Sequence, residues 1–282
     1  MDTLLPGTPE SYTQLLKRSI KLYRRSFSSI ILLLSLLLSI TVFIPRLLTY
    51  FCNKDFFAGL TLLSPHVLWI ALINLASFMF FIALIWHVHC VIRKVHEPLK
   101  QDMTIGLKKM IYAFIAILLQ TMIMLAVIYT LFLLDYYLYI WQILNINYWF
   151  SALLFGVFFL AQVLLIIYIA TLFIFYLPLI AIENKGILSS LKYSILLVWN
   201  HCFRTFSLQM TPWIFYFILL FFMKYTLGIN IHIYFIAGEY QPIWVTVLHI
   251  IIFTLFAPWV ASTLLIQLRD LEIRNHIVPK KT

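Results

Sequence analysis

Six stretches of the chain, Phe27–Leu48, His66–Ile92, Met110–Leu134, Tyr148–Ile182, Phe206–Met223 and Trp244–Leu268, carry no Asp, Glu, Lys or Arg in their middles. A bilayer core takes about 20 mostly apolar residues per helix, so each stretch is long enough to span it or nearly so. The pattern predicts an all-α, polytopic membrane protein with six transmembrane helices, a single integral domain over residues 1–282. The fourth stretch is 35 residues long, more than a straight span needs. Its start is expected in the outer interface and its end to be bent at Pro178. With 63% hydrophobic and 11% charged residues, and a mean hydropathy of +0.99, the chain lies far outside soluble composition.

The net charge of +10 would fit a nucleic-acid binder if it were gathered on one soluble face, but it is sorted by loop. All of the 20 Lys and Arg except Arg46, Lys54 and Lys224 fall in the N-terminal segment, the second and fourth loops or the tail. The positive-inside rule then predicts that both termini are cytoplasmic. A basic face so placed meets anionic lipid, at roughly 1 kcal/mol per residue near the surface, and no nucleic acid is expected. Of the three cysteines, Cys52, Cys90 and Cys202, only Cys52 lies outside on this topology, which argues against an intramolecular disulfide. Tyr50 and Phe51 occupy positions where a lipoprotein cleavage site needs small residues, so the first span reads as an uncleaved anchor.

The chain also repeats itself. Leu16-Lys17-Arg18-Ser19-Ile20 recurs as Leu107-Lys108-Lys109-Met110-Ile111 and as Leu191-Lys192-Tyr193-Ser194-Ile195, at spacings of 91 and 84 residues. Each copy precedes an odd-numbered span. The sequence thus parses into three units, about 8–92, 102–182 and 186–268, each an amphipathic cytoplasmic segment followed by a transmembrane hairpin, with a short basic tail at 269–282. In the first copy Tyr12, Leu15, Leu16, Ser19, Leu22, Tyr23 and Phe27 share a helix face, opposite Lys17, Arg18, Lys21, Arg24 and Arg25. Thr8, Pro9 and Glu10 read as its start. In the third, Ile187, Leu188, Leu191, Ile195, Val198, Trp199 and Cys202 share a face, with Gly186 supplying the turn before it and Trp199 suited to headgroup depth. Such helices are expected to lie on the inner leaflet. Ser19 and Ser194 hold the same repeat position, where a small residue lets another helix come close.

Pro178, Gly186-Ile187, Ser190, Ser194, Trp199-Asn200 and Arg204 together resemble the signature of the YciC-like bacterial inner-membrane proteins, a family similar to the membrane domain of some glycerophosphodiester phosphodiesterases. The resemblance is specific over roughly residues 175–215 and elsewhere is one of layout. The spacings from Pro178 to Gly186 and from Trp199 to Arg204 depart from the pattern by about a residue. The resemblance implies a bacterial inner membrane and a six-helix fold, and no defined biochemical activity.

Chemistry inside the membrane needs ionisable groups facing a cavity, and the spans offer only Asn74, Gln120, Gln162 and His249, which are expected to form interhelical hydrogen bonds. In "HVHC", His87 and Cys90 share a helix face and His89 does not; no second cluster completes a metal site unless His96 or His201 folds back, so no metal is expected. Ser190 and Ser194 with His201 make no preferred catalytic set, and no glycine-rich phosphate loop is present, so neither an enzyme nor a cofactor is expected. The leading expectation is a non-enzymatic protein that organises or senses lipid, with Lys17, Arg18, Lys108, Lys109, Lys192 and Arg204 as candidate headgroup contacts. The alternatives are a transporter or lipid translocator, for which Pro212 and Pro258 would bend helices, and an accessory subunit of a membrane complex. A transporter more often shows substrate-facing charge and broken helices.

Overall fold

The computed structural model describes residues 4–52, 65–145, 148–229 and 242–275. Lys54, the side chains of Arg46, Cys52, Tyr148 and Trp149, the aromatic residues of 230–241 and the tail beyond Asn275 lie outside them. The regular elements are helices: α1 (Tyr12–Ser26), α2 (Ser29–Cys52), α3 (Pro65–Arg93), α4 (Leu99–Asn145), α5 (Tyr148–Leu172), α6 (Tyr176–Glu183), α7 (Ile187–Val198), a 3-10 turn (Trp199–His201), α8 (Cys202–Thr226) and α9 (Ile243–Arg274). Among the described residues there is no strand. An all-helical outcome is what apolar runs require where no water can satisfy backbone groups. Five stretches, Ala71–Arg93, Leu99–Tyr137, Gly156–Glu183, Ile187–Thr226 and Ile243–Arg274, are long and apolar enough to cross a bilayer, and the bent pair α1–α2 can supply a sixth. This is compatible with a polytopic membrane protein.

Helix α1 begins at Tyr12, four residues after the expected Thr8 cap. Gln14 Oε1 accepts the Ser11 N–H at 2.9 Å and fixes the start there; Glu10 is left outside the helix and turns to Arg18. At Phe27 and Ser28 the chain bends by 103° into α2, and Ser28 Oγ accepts the Ile31 N–H at 3.3 Å. The buried face of α1 is Leu15, Ser19, Leu22 and Ser26, laid mainly against α9, while Lys17, Lys21, Arg24 and Arg25 remain exposed.

The second and third copies of the repeat depart from the expected separate surface helices. Leu107–Ile111 lies within α4, which runs without interruption from Leu99 to Asn145, about 70 Å at 1.5 Å per residue. Nothing in Gly106-Leu-Lys-Lys-Met-Ile ends a helix in the way Ser28 does. The third copy, α7, continues through one 3-10 turn into α8 as the single stretch Ile187–Thr226. Its buried face is Ser190, Leu191, Ser194, Leu197 and Val198; Leu188 and Trp199, expected on that face, are exposed.

The fourth apolar run breaks at 173–175 into α5 and α6, one turn before Pro178. Proline lacks an N–H and its ring crowds the carbonyl four residues earlier, so the distortion falls upstream, at Ile174. Within the break Phe173, Ile174 and Tyr176 bond three residues back instead of four. Helix α6 ends at Asn184, which adopts the left-handed conformation at φ 53°. Asn184 therefore makes the turn that Gly186 was expected to make; Gly186 sits at φ −64°, open to any residue, and caps the start of α7.

Helix α9 is the hub, packed against α1, α2, α3, α7 and α8. One core joins Leu15, Leu22, Ile31, Leu34, Ile82 and Ile85 to Ala261 and Leu265, and a second joins Phe175, Leu179, Leu197 and Val198 to Leu264, Leu268 and Leu271. By contrast Met122, Leu125, Tyr129 and Phe132 on α4, and Val157, Leu160 and Leu164 on α5, are exposed, as hydrocarbon-facing residues are.

Candidate functional site

The chemistry of the molecule gathers at the end of the bundle where the two described chain ends meet. Asp270, in the last turns of α9, is fully buried. It accepts the Glu10 N–H at 2.9 Å, Arg274 Nε at 2.8 Å and Arg204 Nη2 at 3.2 Å. The Glu10 carboxylate takes Arg18 Nε and Nη2 at 2.6–2.9 Å, and its carbonyl accepts Arg274 at 2.6 Å and also Arg204. Two acids and three guanidiniums thus clasp the N-terminal segment, α1, α8 and α9. The apolar helices leave these residues as the polar rim, and forked donors suit a shared carboxylate.

Beside the clasp, the broken α5–α6 backbone is satisfied by one side chain. Ser194 Oγ accepts the Phe175 N–H at 3.2 Å and donates to the Leu172 carbonyl at 2.7 Å. Ser190, also fully buried, donates to its own helix at Ile187 O. Lys109 donates from α4 to the Ile180 carbonyl at 3.1 Å and to Asn184 Oδ1. Of the six basic residues expected at lipid headgroups, Arg18, Lys109 and Arg204 therefore hold protein acceptors, whereas Lys17, Lys108 and Lys192 are exposed. Trp199 and Asn200 are exposed in the 3-10 turn, with the Trp199 ring edge-on to Tyr168.

From the clasp a polar seam runs inward between α8 and α9. Gln209 Nε2 donates to Gln267 Oε1 at 2.7 Å, both residues buried. Around them Arg204 Nε, Thr205 Oγ1 and Gln267 Nε2 are buried without a hydrogen-bond partner. Further along the same two helices Trp213, Phe253, Phe256, Ala257 and Val260, with Phe78 and Phe81 of α3 opposite, line a cavity of about 210 Å³ that is almost wholly apolar. Trp213 stands four residues beyond Gln209, about 6 Å at 1.5 Å per residue. The arrangement offers hydrogen-bond donors at one level and a hydrocarbon-lined space at the next.

A second polar group lies at the junction of α3 and α4. His87 Nδ1 and Asp102 Oδ2 are 2.7 Å apart, Trp86 Nε1 donates to Glu97 Oε2 at 2.7 Å, and ligand atoms of Cys90, Glu97 and Asp102 lie within 4.8 Å of one another. Neither His96 nor His201 is the side chain that folds back to His87 and Cys90; Glu97 and Asp102 do so instead. Two acids within twelve residues of Cys90, across a short turn, were the available signal. Deeper in the bundle His249 bonds Tyr216, and Gln162 donates to Asp135 at 2.7 Å, so these two expected interior polar residues do pair across helices.

Comparison of the chain with protein-family models, with curated proteins and with solved structures returned no match.

Proposed function

We propose that the protein is a non-enzymatic, multi-pass protein of a bacterial inner membrane that binds and organises anionic lipid. The observation that carries this reading is the α8–α9 seam, where three buried polar atoms without a protein partner are followed along the same helices by an apolar cavity. That order, polar and then apolar, is the order of a lipid entering from a headgroup layer. In this reading Arg204, Thr205 and Gln267 meet the headgroup and the aromatic-walled cavity takes acyl chain. Lys17, Lys108 and Lys192, exposed in the three copies of the repeat, raise the local concentration of anionic lipid. The sorting of Lys and Arg among the loops supports cytoplasmic termini and a six-span layout in three hairpin units, and the YciC-like signature over 175–215 supports the same membrane.

Native mass spectrometry of the protein released from membranes containing phosphatidylglycerol and phosphatidylethanolamine tests this. Wild type should retain a discrete anionic lipid, and the combined Lys17→Glu, Lys108→Glu and Lys192→Glu variant should lose the preference for phosphatidylglycerol. Ala257→Trp, which fills the cavity, should lower retention of both lipids. Equal retention by all three proteins would overturn the proposal. A second reading, an accessory subunit of a membrane complex, is favoured by the outer halves of α4 and α5, whose exposed apolar faces extend well beyond the packed core. Co-purification of one polypeptide in fixed stoichiometry, lost on placing charge at Tyr129 and Leu160, is the result expected of it.

A further inference from the structure

The junction of α3 and α4 is built in a way that a pair of hydrogen-bonded acids does not require. Trp86, His87 and Cys90 fall on one face of the last turns of α3. The helix ends at Lys94, held at φ 59°, with Val95 N–H bonded to the Cys90 carbonyl and Lys94 N–H to that of Val91, the paired closure of a Schellman turn. This folds Glu97 back over Cys90. Gly106 then allows α4 to rest against the α3 backbone, since a Cβ there would lie 2.5 Å from the Met79 carbonyl oxygen, and this brings Asp102, one turn earlier, over His87.

The two carboxylates are each fixed by a nitrogen from α3, Glu97 by Trp86 and Asp102 by His87, both at 2.7 Å. Asp102 is fully buried, yet its Oδ1 has no hydrogen-bond partner. A buried carboxylate oxygen left bare is costly, and Cys90 Sγ and a Glu97 oxygen lie within 4.8 Å of an Asp102 oxygen. A cation satisfies all three at once. We propose that Cys90, Glu97 and Asp102 hold a divalent transition-metal ion of the zinc class, with the fourth position left to water and His87 and Trp86 as positioning residues that orient the carboxylates.

One thiolate and two carboxylates favour zinc or cobalt over magnesium or calcium, which take oxygen ligands alone. Ligand atoms around tetrahedral zinc stand about 3.5 Å apart, from bond lengths of about 2.0–2.3 Å. The 4.8 Å limit of the cluster thus closes with a contraction of about 1 Å, which Glu97, half-buried on the turn, can supply. Residues 93–96 are exposed and give an ion access from the aqueous side. On binding, the Cys90 proton leaves to solvent and the thiolate takes the metal.

Cobalt titration of the purified protein in detergent, freed of metal beforehand, tests the proposal without requiring any activity. Wild type, and equally the Cys52→Ser and Cys202→Ser variants, should bind one equivalent with a thiolate-to-cobalt charge-transfer band that one equivalent of zinc abolishes. Cys90→Ser should lose the band. His87→Ala should keep the band but weaken binding about 10–100-fold, the usual effect of removing an outer partner of a ligand. A monodisperse wild type that develops no band, or a band that survives Cys90→Ser, would overturn the proposal.

Discussion

Replacing Gly106 with Ala isolates the contact that seats α4 on α3. The added Cβ would stand 2.5 Å from the Met79 carbonyl oxygen and 3.3 Å from the Ala83 Cβ. The first of these is backbone within α3 and cannot rotate aside, so the two helices must part by about 0.7 Å to restore van der Waals contact. Overpacking of this kind costs about 1–3 kcal/mol, and the removal of glycine from a helix interior returns at most about 1 kcal/mol. Because the obstacle is backbone, the cost falls in the upper part of that range, about 2–3 kcal/mol, and the expected net effect is a destabilisation of about 1–2 kcal/mol. Gly156 provides the control, because it is also within a helix and a Cβ there meets nothing within 4 Å. Gly156→Ala keeps the propensity gain without the clash and should be neutral or stabilising by up to about 1 kcal/mol. Reversible unfolding in mixed micelles of rising SDS fraction, followed by far-ultraviolet circular dichroism, would measure both. The reasoning fails if Gly106→Ala is as stable as wild type, or if Gly156→Ala is destabilised equally.

Ser194→Ala leaves the Phe175 N–H and the Leu172 carbonyl without their side-chain partner and should cost about 1–3 kcal/mol in the same assay; Ser194→Leu, which must also find room at a fully buried position, should cost more. Asp270→Ala removes the carboxylate that Arg204 and Arg274 share and leaves them on the Glu10 carbonyl. Their side chains keep 25% and 23% exposure, so the loss should fall near the lower end of the about 3–5 kcal/mol typical of a broken buried pair, with Asp270→Asn milder. Lys192→Glu alone, at an exposed position, should leave stability within about 0.5 kcal/mol of wild type and act only on lipid retention; a large stability loss would show that it has a packing role.

Apolar length was enough to place most of the helices, because a run such as Met110–Leu134 has no other stable form in hydrocarbon. Two of the positions singled out on the third repeat copy, Ser190 and Ser194, are fully buried, for a small residue on an apolar helix face has few other uses. What periodicity cannot convey is where a helix declines to stop. The bend after α1 depends on Ser28 and the continuity of α4 on the lack of any such residue, so two similar pentapeptides sit in unlike surroundings. The buried face of α7 is rotated from the one inferred, since its neighbour is the Leu172–Phe175 break, whose free backbone groups call for a hydroxyl. The ion pairs were hidden for a different reason: Glu10 and Asp270 are 260 residues apart, and no local pattern connects them. The α3–α4 acids were closer, yet their return to Cys90 rests on a left-handed Lys94, a conformation that lysine seldom announces.

The resting place of α1 on α9 has a consequence for how the protein is made. Asp270 leaves the ribosome some 250 residues after Arg18, which at about 5–20 residues per second is a delay of about 10–50 s. Throughout that interval Leu15 and Leu22 lack α9, the helix against which α1 is mainly laid. An amphipathic helix has a provisional home in the membrane interface, and on the reading proposed above the exposed Lys17, Arg24 and Arg25 would hold α1 there until α9 is made. On the lipid-binding reading proposed above, the basic stripe of α1 would serve biogenesis as well as the finished molecule, parking α1 beside the bilayer until α9 arrives to receive it.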